Sequence, residues 1–125
     1  AKSLRTIGII TQGAHMFAGQ EHTITALTNH ALVMGAVPVT GDPWESYIGA
    51  AGWTACGDRK DSLKKLAEAG DRDAQVAVRA STSLGRRVTQ MALLIRAGGM
   101  AHRAELEADG GYGIFLDRLP PEAGA

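Results

Sequence analysis

Thr11-Gln12-Gly13, followed after five intervening residues by Gly19-Gln20-Glu21, is the part of this chain best suited to hold a ligand. Gly13 and Gly19 let the backbone approach a flat or charged group, and the N–H groups of a helix starting near Gln20 are donors without partners inside that helix. A glycine-containing loop that binds nothing is the plain alternative. Other chemistries find less support. His22 and His30 are eight residues apart, about two helical turns, too far to chelate one ion together, and His15 and His102 add no ligand spacing, so no metal site is expected. Cys56 stands alone, which excludes an internal disulfide and, without a paired histidine motif, gives no sign of a nucleophile; it reads as a small apolar residue. Arg86 and Arg87 suit either a partner carboxylate or phosphate, or simply solvent.

The elements that must position this loop follow from apolar spacing. Ile7, Ile9 and Ile10 form a β-branched run that predicts a strand buried on both faces, ended by a loop over Thr11 to Gly19. Ile24, Leu27, Ala31 and Leu32 predict a helix from Gln20 to Met34 closed by Gly35. AVPVT, residues 36–40, predicts an edge strand, because Pro38 lacks a ladder donor; a proline loop is the alternative. Gly41 to Gly57 reads as a long loop, its Trp44, Tyr47 and Trp53 either covering the edge strand or serving a site. Asp61 or Ser62 caps a short helix closed by Gly70. A long helix from Asp73 to Ala97 carries the stripe Leu84, Val88, Met91 and Ile95 and is stopped by Gly98 and Gly99. In the remainder, 100–125, Ile114, Phe115, Leu116 and Leu119 form an apolar patch suited to docking. Residues 1–99 are thus one unit and 100–125 an extension.

Length and composition bound the possibilities. At 125 residues one core is possible, and thirteen basic residues balance thirteen acidic ones, leaving no field to attract nucleic acid or an anionic membrane. No apolar run approaches the roughly 20 residues of a membrane span, and the first residues lack a signal-peptide pattern. The expectation is a cytoplasmic protein.

The loop and the order of elements after it resemble the flavodoxin-like NAD(P)H:quinone oxidoreductases and NADPH-dependent FMN reductases. Gly19-Gln20-Glu21 is similar to their flavin-bordering Gly-Gln-Glu segment, and Tyr47, Gly49 and Ala50 to their Tyr-x-Gly-Ala pattern; the likeness spans roughly Thr6 to Gly98. It implies FMN along Thr11, Gln12, Gly13 and Ala14, with Gly19, Gln20 and Glu21 beneath the ring and Tyr47 beside it. FMN would take hydride from the co-substrate NAD(P)H and pass electrons to a quinone-like or other small acceptor. His15, Met16 and Phe17 lengthen the loop relative to that family, and Met16 or Phe17 is expected on the substrate side or as a core plug.

The likeness covers only the carboxyl-terminal half of a doubly wound parallel sheet. The first three strands and the phosphate-binding loop have no counterpart, and two parallel strands do not make a stable sheet alone. A companion chain supplying the amino-terminal half, a homo-oligomer, or a longer polypeptide of which this is a fragment would each complete it. The competing expectation is a flavin-free structural or regulatory subunit that binds a protein partner through its aromatic loop and apolar tail.

Overall fold

A computed structural model describes residues 2–42, 44–56 and 61–121. Its elements run β1 (Thr6–Ile7), β2 (Ile10–Gly13), α1 (Gln20–Val33), β3 (Val37–Pro38), a 3-10 turn (Trp44–Ser46), β4 (Ala50–Trp53), α2 (Ser62–Glu68), α3 (Arg72–Ala101), α4 (Arg103–Asp109) and α5 (Gly113–Leu116). The chain is therefore mixed α/β, with β1 parallel to β3 and β2 parallel to β4.

These pairings share one strand line. The carbonyls of Arg5 and Ile7 accept from the N–H groups of Val37 and Val39, and those of Ile9 and Gly13 accept from Ala50 and Thr54. Alternate carbonyls of a pleated strand face one edge, so β3 and β4 lie one after the other along the same side of residues 5–13. Chain 39–49 makes an excursion between them. Pro38 falls between the two donating residues Val37 and Val39, so its missing N–H costs the ladder nothing, as expected of an edge strand. The opposite edge of residues 6–13 carries no strand among the described residues.

Helices cover both faces. A Cβ on Gly8 would meet Val88 and Leu84 of α3, whereas one on Gly13 would meet Gln20 of α1; an even and an odd position face opposite ways, which puts α3 and α1 on opposite sides. Ile24 and Ala31 of α1 are buried, while Leu27 and Leu32 of the expected stripe are exposed. Gly35, with φ 63°, follows the end of α1 as expected.

Four expectations require correction. Thr11, Gln12 and Gly13 belong to β2 rather than to the loop, and the strand is interrupted at Gly8 and Ile9, with only Ile9 of the three isoleucines buried. Second, the supposed loop after Gly41 contains strand β4. Its sequence AAGW has low strand propensity, and small side chains are what the site demands: Ala50 is fully buried, and a Cβ on Gly52 would lie 3.0 Å from that of Ala77. Gly57, the expected loop end, lies outside the described residues.

Third, α3 does not stop at Gly98. It runs to Ala101, and Gly99 is a notch: a Cβ there would stand 2.4 Å from Cζ of Phe115. Through it Phe115 and Leu119 meet α3, and Leu116 is buried as well, so the tail patch is satisfied within the chain, while Ile114 stays exposed. Fourth, the buried stripe of α3 is Ala74, Ala77, Ala80 and Leu84, beginning earlier than expected; Val88, Met91 and Ile95 are only half-buried. Asp71 caps this helix, its carboxylate accepting from Ala74 N–H at 2.8 Å. Arg87 approaches Asp42, with Nε 3.3 Å from Oδ1 but outside hydrogen-bond alignment, and Arg86 faces solvent.

Candidate functional site

The loop that follows β2 and the carboxyl end of β4 border a cleft of about 600 Å³. One wall is the start of α1, another the backbone of β4 ending at Trp53, and the third the first turns of α3. Each wall has a local cause. Gly19 adopts φ 80°, a left-handed conformation that turns the chain into α1 without strain and leaves the helix without a side-chain cap. A Cβ on Gly19 would meet nothing within 4 Å, so its requirement is conformational.

Gln20 holds the loop together. It is buried, its Nε2 donates to the His15 carbonyl at 2.9 Å, and its own carbonyl accepts from Thr11 Oγ1 at 3.4 Å. Gly13 makes room for it, since a Cβ there would come within 2.7 Å of Gln20 Nε2 and 2.4 Å of the Ala18 methyl. The next carbonyl, of Ala14, accepts from Cys56 N–H at 2.6 Å and ties the loop to the end of β4.

Of the residues singled out from sequence, Gly19, Gln20 and Glu21 line the cleft, joined by Met16 and Phe17. Thr11, Gln12 and Gly13 form the strand leading to it, and Ala14 the turn just beyond; none of these four is among its lining residues. Tyr47 lies on the excursion outside the cleft, exposed. Trp53, read from sequence only as one of three loop aromatics that could serve a site, also lines the cleft, as do Asp73 and Val76, which sequence reasoning passed over. An aromatic at the end of a strand was the available signal for Trp53, but it required recognising β4; Asp73 and Val76 depend on where α3 crosses, which no local pattern encodes.

Apolar and polar side chains line the cleft together. Phe17, 87% exposed, and Met16 stand at one lip, and Trp53 at the strand ends. Glu21 and Asp73 bring carboxylates, and His22 an imidazole, with no lysine or arginine among the lining residues. Such a site suits a flat, largely neutral ring and opposes a phosphate. No group of three histidine, cysteine or acidic residues fit to hold a metal occurs among the described residues, and no described helix is long and apolar enough to cross a membrane. Comparison with family models, curated proteins and solved structures gives no match.

Proposed function

We propose that this chain is the carboxyl-terminal half of a flavodoxin-like domain and contributes to an FMN-dependent oxidoreductase carrying electrons from NAD(P)H to a quinone-like or other small acceptor. The observation that carries this reading is the cleft at the carboxyl end of β4, beyond its parallel partner β2, with the Gly19-Gln20-Glu21 helix start on one side and Trp53 on the other. Its apolar, aromatic lining fits an isoalloxazine ring. Gly19 and Gln20 would then place backbone beside the ring, and Phe17 and Met16 would shield it from water. Bound FMN would supply the hydride and electron chemistry itself. Glu21 and Asp73 make the cleft unfit for the phosphate, which is assigned to the companion chain.

The need for a companion has its own support. A folded monomer of 13.1 kDa exposes about 6,400 Å², whereas this chain exposes 8288 Å². The excess, about 1,900 Å², exceeds the ~800 Å² that one partner contributes to a standard interface. Part of it lies along the bare edge of β1 and β2, where Ile10, Leu27, Val33 and Met34 border a groove of about 890 Å³. Unpaired strand backbone flanked by apolar side chains is a surface that another strand satisfies.

A flavin-free subunit is the second reading, favoured by Trp44 and Tyr47, 81% and 63% exposed on the excursion. Its other contact surface, the tail, is largely spent on α3. Native mass spectrometry of the purified protein, followed by release of its components, separates the two. A second polypeptide with FMN, and flavin absorbance near 450 nm on the order of one equivalent, is expected; a stable bare monomer that takes up no FMN would overturn the proposal.

A further inference from the structure

At the end of the molecule opposite the cleft, three segments distant in sequence bring arginines to one depression of about 290 Å³: Arg5 before β1, Arg96 on α3, and Arg118 after α5. No carboxylate lines it. The side chains of Arg5 and Arg96 make no ion pair or hydrogen bond among the described residues. Arg118 is held in place, its Nε donating to the Ile114 carbonyl at 3.2 Å and its Nη2 to the Ser3 carbonyl, with the guanidinium 5.9 Å from the Phe115 ring centre. Both acceptors are neutral, so its charge stays uncompensated. Acids of the adjoining helix are engaged elsewhere, Asp109 by Lys2, Glu107 by Arg103 and Glu105 by His102. The depression also has an apolar floor, to which Leu4, Ile95 and Phe115 contribute.

We propose that this depression binds a phosphate monoester carrying a small apolar body, the guanidinium groups of Arg5, Arg96 and Arg118 taking the phosphate and the floor taking the body. Three uncompensated cations match a dianion with three terminal oxygens better than a carboxylate, and guanidinium forks suit phosphate geometry. The floor favours an ester over free phosphate. This inference is independent of the flavin reading, since neither Arg96 nor Arg118 lines the cleft or the groove along the bare edge, and only Arg5 borders the latter.

The test is a titration of the purified protein, with any companion it carries, by phenyl phosphate at low ionic strength, followed by amide NMR and calorimetry. Saturable binding is expected, with shifts centred on Ile95 and Phe115 rather than Trp53. Arg96→Gln, an exposed change on α3, weakens it at least tenfold with an unchanged circular dichroism spectrum, and Arg5→Gln does the same. Raising salt to 0.5 M weakens it several-fold. Absence of saturation, shifts centred on Trp53, or undiminished binding by both variants would overturn the site; benzoate or inorganic phosphate binding as tightly as phenyl phosphate would overturn the ligand class.

Discussion

Glycine does two different jobs in this chain, and only one is written plainly in its sequence. Gly19 is needed for its left-handed φ, and its place before a helical run was readable. Gly13 makes room for Gln20, and Gly99 for Phe115; both depend on side chains brought in by folding. Gly99→Ala would push a methyl into the Phe115 ring and is expected to destabilise the protein by about 1–3 kcal/mol, read as a lower urea midpoint. Loss of tail protection from proteolysis should accompany it. Glu45 offers a test by pH. Its carboxyl is held below the usual carboxylate range, first by the backbone N–H of Glu45 itself and then by the Arg79 guanidinium 2.8 Å away. The folded value lies below the unfolded one, so the contribution is present above ordinary carboxylate pH and lost as pH falls through the folded value. Carbon-detected NMR of Glu45 should place its midpoint below the usual carboxylate range, and Arg79→Gln should raise it; the effect on stability is small for so exposed a pair.

Among the elements, periodicity revealed α1 and the middle of α3, since both alternate apolar and polar positions at helical spacing. β4 escaped because its strand character comes from its neighbours: the fully buried Ala50 needs α3 above it, and nothing in AAGW favours a strand alone. The extension of α3 through two glycines escaped for a related reason, since packing of the tail outweighs a helix propensity deficit of about 1 kcal/mol per glycine. The start of α3 is set more locally. Asp71→Ala removes the carboxylate that accepts from Ala74 N–H and is expected to lower stability by about 1 kcal/mol, whereas Asp71→Asn should retain most of it; thermal unfolding of the two variants checks the difference.

For the molecule as a whole, the sequence made the mixed α/β character legible, through one β-branched run and two helical stripes, but not the division of four short strands into two parallel pairs. It did not disclose which edge stays open, a matter of register. The carbonyls that pair belong to Arg5, Ile7, Ile9 and Gly13, so the backbone groups of Gly8, Ile10 and Gln12 face the bare side. Hydrogen exchange of the isolated chain should find the amides of Gly8, Ile10 and Gln12 far less protected than those of Val39 and Ala50. A companion strand should slow all three together; protection confined to the cleft loop would argue against completion at this edge.

The two-part pairing along residues 5–13 also separates spacing from alignment. Val37–Pro38 and Ala50–Trp53 are each anchored to their own stretch of the strand, so the length of chain between them does not set where either one sits. Residues added beyond the buried Ser46, near the exposed Tyr47, would slide neither stretch by a single position. Closing the longer detour costs only about 0.6 kcal/mol per doubling of its length. The detour is therefore the natural place to graft a tag or a second domain, and the place where relatives of this chain can differ most in length while keeping the same sheet.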